Sequence, residues 1–202
     1  NHTPILINVV TIKSKKDLFI LATLDLCSFP NVPEFNPKGL LPYIANHFHT
    51  LESNIILHCT HTHSGPSVDI NRAGEPGGDR ILPFLENLKT QLIKTIQASI
   101  ENQVEAIMEW QAGTSPLATN RDLKKNDRVV VGYNPEIEAD QTVLVGRVCD
   151  LNHKIILNLV HYACHPTTLA WDNEHISTDY IGSLRTTMEK QTGAPCVFLL
   201  GN

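Results

Sequence analysis

The sequence predicts an α/β fold in which a mixed β-sheet core is flanked by helices. Three observations carry this. Ile5 to Ile12 and Leu18 to Leu26 are apolar, strand-like runs joined by the polar turn Lys13-Ser14-Lys15-Lys16-Asp17, which reads as a hairpin. Helix-spaced segments alternate with later strand-like runs. The histidine- and glycine-rich punctuation falls at strand ends, where sheet scaffolds tend to carry their sites.

After the hairpin, Pro30, Pro33 and Pro37 mark a loop, and Leu40, Leu41, Ile44, Ala45 and Phe48 follow at helical spacing. Asn54 to Thr60 reads as a short strand. A loop rich in Gly and Pro leads to Arg80 to Glu101, where Ile81, Leu85, Leu88, Leu92, Ile96 and Ile100 form one buried stripe of an amphipathic helix. Val104 to Gly113 and Thr142 to Leu151 read as strands, the first followed by a loop holding Asn120-Arg121-Asp122. Lys154 to Cys164 is a nearly unbroken apolar strand, with Pro166 forcing the chain out of the sheet. A helix over Asp179 to Lys190 and a strand over Cys196 to Leu200 complete the order. The chain opens almost at once on a strand and stops straight after another, so both ends read as cut from something longer.

Composition narrows the function classes. Of 202 residues 42% are hydrophobic and 18% charged, enough apolar material for a real core and against disorder. The net charge is −5 and Lys and Arg are scattered, so no footprint for nucleic acid or an anionic membrane is present. No apolar run has the length of a transmembrane segment, and the start lacks the basic-then-apolar layout of a signal peptide. The five cysteines are odd in number, with no Cys-x-x-Cys, which argues against a disulfide framework or a zinc knuckle and for small buried thiols.

The densest chemistry lies in HCTHTHSGPSVD, His58 to Asp69. Strand residues two apart face one side, so His61 and His63 can converge on one pocket while Thr60 and Thr62 point elsewhere. If extension continues to His61, His58 has the opposite parity and reads as a hydrogen-bonded core histidine. His-x-His at a rigid strand end suits zinc, which takes imidazole nitrogen readily. The same pattern also occurs on plain surface strands, so these residues by themselves leave both readings open. In LVHYACHP, His165 sits beside the strand-breaking proline and His161 lies further inside the strand, where a core imidazole is the simpler reading. There is no Gly-x-Ser-x-Gly elbow, no His-Glu-x-x-His helix and no Gly-x-x-x-x-Gly-Lys loop.

Taken together, THTHSGP at 60–66, TNRD around Arg121, HPTTL, STDYIGSL at 177–184 and the terminal APCVFLLGN resemble, in order and spacing, the N-terminal catalytic domain of the neutral/alkaline ceramidase family. The resemblance covers essentially residues 1–202. It implies a zinc-dependent amide hydrolase that cleaves an N-acyl amide with metal-activated water, acting on a small-molecule or lipid-like amide substrate. It implies His61 and His165 as zinc ligands, His63 on the substrate side and Arg121 against the reacting group, both as catalytic residues. The remaining ligands, a glutamate and a tyrosine, come in that family from further along the chain. Asp25 and Asp179 are the carboxylates best placed to take the second N–H of a ligating imidazole. Asp179 reads equally as a helix N-terminal residue favoured by the dipole, and Asp25 as a strand-end cap. One departure stands out: the family carries Ser-Asn after the last strand, and this chain has Gly201-Asn202. Two alternatives therefore stay open, a metal-dependent hydrolase of a small polar amide or ester, and a ceramidase-like binding module without activity. A long-chain substrate needs an apolar groove or an added membrane-facing element, and no surface amphipathic stretch with exposed Trp or Phe stands out.

Overall fold

The computed structural model describes residues 2–201 and contains nine strands and three helices among them. They divide into two compact units, one formed by the residues up to Glu105 together with Pro166–Ser183, the other by Ala106–His165 with the residues from Leu184 on.

The first unit is built on a three-stranded mixed sheet. β1 (Ile7–Ser14) and β2 (Asp17–Leu24) form the expected hairpin, in register from Ile7↔Leu24 to Ser14↔Asp17, with Lys15 in the turn at φ 53°. β3 (Ile55–Cys59) pairs with β2 in parallel, Leu24 opposite Cys59. This pairing decides where the chemistry lies, because parallel neighbours leave the sheet at the same edge. α1 (Pro37–His47) connects them. Asn36 caps it by accepting from the Lys38 N–H at 2.9 Å, and Pro37 opens the first turn, where its missing donor costs nothing. α2 (Ile81–Glu101) buries Ile81, Leu85, Leu92 and Ile96, the stripe read from the sequence. These side chains join Leu40 and Ile44 of α1 and Ile20, Ala22 and Leu24 of β2 in one apolar core.

The second unit holds a four-stranded mixed sheet of order β4-β7-β8-β9: β4 (Ala106–Thr114), β7 (Thr142–Asp150), β8 (Ile155–Tyr162) and β9 (Cys196–Leu200). Only β8·β9 is parallel. Asn158, Leu159 and Val160 in β8 are consecutive buried residues, as a central strand covered on both faces requires. Asn158 meets the polar cost of that burial by donating to Thr192 Oγ1 at 2.8 Å and to the Ala194 carbonyl at 3.2 Å. α3 (Tyr180–Thr192) leads into β9.

The mixed α/β class holds, with two separate mixed sheets rather than one. Two further expectations are corrected. The segment around Asn120-Arg121-Asp122 is not merely a loop: β5 (Asp122–Lys125) and β6 (Arg128–Val131) form an antiparallel hairpin, turning at Asn126 with φ 56°. β8 ends at Tyr162, before Pro166, because its partner β9 ends opposite it at Leu200. His165 thus lies in the loop beyond the strand.

Candidate metal centre

The loops that leave β2 and β3 stay zipped together past the strands. The Thr60 N–H donates to the Leu24 carbonyl at 2.9 Å and the His61 N–H to the Leu26 carbonyl at 2.9 Å, so residues 25–27 run beside 60–63. The threonines of THTH are anchors. Thr60 and Thr62 are both fully buried; Thr60 Oγ1 donates to Asp25 Oδ1 at 3.0 Å and Thr62 Oγ1 to the Ser177 carbonyl at 2.8 Å. The segment from Pro166 to Thr178 wraps this loop: the Ser177 N–H donates to the Ser64 carbonyl at 2.9 Å, Asn173 Nδ2 to Ser64 Oγ at 2.9 Å, and the His63 N–H to the Pro166 carbonyl at 3.4 Å. Burial of these hydroxyls with partners fixes the backbone from which the intervening histidines project.

His61 and His63 stand side by side, ring centroids 4.9 Å apart and planes at 87°. The convergence arises differently from the strand alternation the sequence implied. β3 stops at Cys59, and His61 has left-handed backbone geometry, φ 67°, which a histidine adopts only at a cost of about 1–2 kcal/mol. That turn swings the imidazole toward Cys27, whose carbonyl accepts from Nδ1. A carbonyl only accepts, so Nδ1 carries the proton and Nε2 the lone pair. The Cys27 sulfur lies 3.9 Å from His61 Nδ1. Donor atoms of Cys27, His61 and His63 all fall within 4.8 Å of one another, so the group could hold a metal ion. Two imidazoles and one thiol match the nitrogen and sulfur preference of zinc and the three protein ligands usual in catalytic sites.

Cys27 was not distinguished by sequence reasoning, which took it as a buried thiol. It is half-buried, and burial pushes its thiol up from the ordinary value. Its neighbour Cys59 is pushed up to about 12 by burial and, secondarily, by Cys27. The signal for Cys27 was available only through topology, since β2 and β3 had to be recognised as parallel neighbours with chemistry at both C-terminal ends.

Asp179 immediately precedes α3, and both carboxylates are buried and hydrogen-bonded. Asp25, 2% exposed, accepts from the Leu6 N–H at 2.8 Å as well as from Thr60. Asp179, also buried and at φ 56°, accepts from Thr168 Oγ1 at 2.6 Å and from the N–H groups of Tyr180 at 2.7 Å and Leu169 at 3.0 Å. Burial pushes its carboxyl up, but the hydrogen bonds from Thr168, Tyr180 and Leu169 outweigh it and hold the group below the usual carboxylate range. A depressed folded value means that Asp179 contributes stability above about pH 4, which is lost as pH falls through the depressed folded value. Asp179→Asn should therefore be less stable at neutral pH and show a shallower loss on acidification; superimposable melting-temperature profiles between pH 2 and 7 would count against this.

The other expected site residues belong to the second unit. Arg121 precedes β5, its carbonyl accepting from the Gly132 N–H at 2.8 Å and closing the hairpin. Among the described residues its guanidinium makes no hydrogen bond or ion pair. His165 is partly buried. Where the ceramidase motif has serine, a Cβ built on Gly201 would stand 2.9 Å from His161 Cε1 and 3.1 Å from its Nε2, so the imidazole takes the space a side chain would need.

Two of the cavities in the first unit measure about 310 and 320 Å³. One is lined by Pro66, Ser67, Arg72, Glu75, Ile81 and Phe84, the other by Ile5, Leu6, Asp25, Leu26, Phe84 and Leu88. Neither is lined by Cys27, His61 or His63. Trp171 is 95% exposed and Trp110 50%. No helix among the described residues is long and apolar enough to cross a membrane.

This architecture is the ceramidase fold. A solved ceramidase complexed with C2 aligns over 95% of this chain and 31% of that chain, with TM-score 0.72 and 18% identity. The neutral ceramidase from Pseudomonas aeruginosa aligns over 91% of this chain and 30% of its own, with TM-score 0.67 and 19% identity. No family model and no curated protein matches the sequence. The chain thus spans about a third of the length of the ceramidases whose fold it shares.

Proposed function

We propose that the chain is part of a zinc-dependent hydrolase that cleaves an N-acyl amide. The observation that carries this reading is the meeting of Cys27, His61 and His63 at the shared edge of β2 and β3, within a ceramidase fold. Zinc, when bound, supplies Lewis acidity and activates water. His61 binds the ion, held in the right tautomer by the Cys27 carbonyl. His165 is its second ligand in the motif resemblance. His63, solvent-exposed beside His61, faces the substrate and moves a proton. Arg121 holds the oxyanion that develops on the carbonyl oxygen, a role that rests on the TNRD resemblance. Asp25 and Asp179 stiffen the loops that carry the imidazoles.

The reading is tested by hydrolysis of N-acyl amides of graded chain length, before and after chelation. Activity that disappears with chelator and returns with zinc is expected; chelator-resistant hydrolysis contradicts it. A maximum at short, polar acyl groups would instead favour a small-amide hydrolase. Gly201 supplies no hydroxyl, which favours the inactive binding module as the second reading; binding of an amide without turnover would establish it. Arg121→Lys keeps the charge but loses the planar fork, so kcat should fall about 100-fold with the melting temperature unchanged. Equal kcat in that variant would return Arg121 to an ordinary loop arginine.

A further inference from the structure

We propose that the cavity between the THTH loop and the start of α2 is an oxyanion subsite, in which Arg80 and Arg72 read a carboxylate or phosphate group on the amide substrate. The inference deepens the hydrolase reading, rests on it, and narrows the substrate class to anionic amides. Charge singles this cavity out. The chain as a whole carries −5, yet the charged residues of the lining are two arginines and one glutamate. That glutamate is engaged: Glu75 Oε2 accepts from Arg72 Nε at 2.9 Å and lies 2.8 Å from its Nη2. One edge of the Arg72 guanidinium is taken in this way, and the terminal edge with Nη1 is left for a second planar oxyanion. Arg80 adds another positive charge to the lining. Asp69 and Asp79, close by in sequence, are not part of the lining, and Asp69 accepts from Asn31 Nδ2 and the Asn71 N–H.

The loop that carries the arginines is folded before any ligand arrives. The Glu75 N–H donates to the Arg72 carbonyl at 3.0 Å and the Gly78 N–H to the Glu75 carbonyl at 2.9 Å. Gly77 turns the chain at φ 81°, and a Cβ on Gly78 would collide with the Arg72 carbonyl oxygen. Such preorganisation lowers the ordering cost of binding. The cavity also lies within reach of the chemistry. Pro66 lines it three residues after His63, and three residues of chain span at most about 11 Å. Ile81 and Phe84 supply apolar contact for the part of the substrate next to the anion, in a volume of about 310 Å³.

Amides that differ only in an oxyanion, offered to the zinc-loaded protein, test the subsite: N-octanoylglycine against N-octanoylglycinamide, N-octanoylethanolamine phosphate against N-octanoylethanolamine, and a succinic monoamide against the diamide. The anionic member of at least one pair should have a kcat/KM at least about tenfold higher, carried by KM, and which pair shows it separates carboxylate from phosphate. Arg80→Gln should bring that ratio close to one and Arg80→Glu should invert it. Arg147→Gln, in the second unit, should leave it unchanged. Arg80 is exposed, so the melting temperatures of all four proteins should agree. Calorimetric binding of the anionic members reads the subsite apart from turnover; it should weaken with added salt and be lost in Arg80→Gln. Hydrolysis indifferent to the anion in every pair, or a preference that survives Arg80→Gln, overturns the subsite and leaves the hydrolase reading standing. Anion binding that depends on Arg80, without hydrolysis of any amide, overturns the hydrolase reading and retains the cavity as an anion site. Neither binding nor hydrolysis overturns both.

Discussion

His61→Gly should abolish metal binding and reduce amide hydrolysis at least about 1,000-fold, while changing stability by no more than about 1 kcal/mol. The two halves of this expectation have separate physical causes. The activity loss follows from removing an imidazole whose tautomer is set by the Cys27 carbonyl, without which the other donors cannot hold an ion tightly. The near-neutral stability follows from φ 67°, which glycine adopts freely and histidine does not. Relief of about 1–2 kcal/mol of backbone strain offsets the lost hydrogen bond, worth about 1 kcal/mol. Metal content, amide hydrolysis and urea denaturation of the same preparation decide it. A variant that still binds zinc would remove His61 from the ligand set. A variant destabilised by several kcal/mol would show that the imidazole holds the loop together rather than being held by it.

How much of this was legible beforehand follows the range of the interactions. The stripe of α2 repeats within one segment, and Ile81, Leu85, Leu92 and Ile96 were found buried as their spacing implied. The β1–β2 hairpin is local too, and β9 was placed to the residue. The β5–β6 hairpin was passed over because Asp-Leu-Lys-Lys in β5 has no apolar run, although Asn126-Asp127 is a turn signal of the usual kind. At the site, His61 and His63 were recognisable from two letters of sequence, but the reason they meet was not. Strand parity was the available rule, and one left-handed residue overrides it. Cys27 lies 34 positions from His61 and is brought there by the parallel pairing of β2 with β3, a choice among partners that local patterning does not encode. The same limit applies to Gly201, whose crowding by His161 depends on the register of β9 against β8.

Asp25→Ala should destabilise the protein by about 3 kcal/mol or more, a larger effect than at any other position of the candidate site. Its carboxylate is buried and accepts from the Leu6 N–H on one oxygen and Thr60 Oγ1 on the other, while its own N–H donates to the Leu6 carbonyl at 3.1 Å. These bonds tie the chain entering β1 to the loops leaving β2 and β3. Truncation leaves the buried Thr60 hydroxyl unsatisfied at a cost of about 1–3 kcal/mol, removes the acceptor of the part-buried Leu6 amide, and opens a small cavity besides. Asp25→Asn retains the shape and one acceptor oxygen, so it should recover part of the loss. Metal affinity separates the two roles open to this residue. A clamp that only supports the fold leaves the zinc affinity of Asp25→Asn unchanged at temperatures where it is folded. A carboxylate that also steers a ligating imidazole raises the dissociation constant about 10- to 100-fold in the same variant. Denaturation midpoints equal to those of the unsubstituted protein in both variants would show that the clamp carries no net energy, and the rigidity of the THTH loop would then have to come from the Thr62–Ser177 bond and the main-chain bonds to Leu24, Leu26 and Pro166.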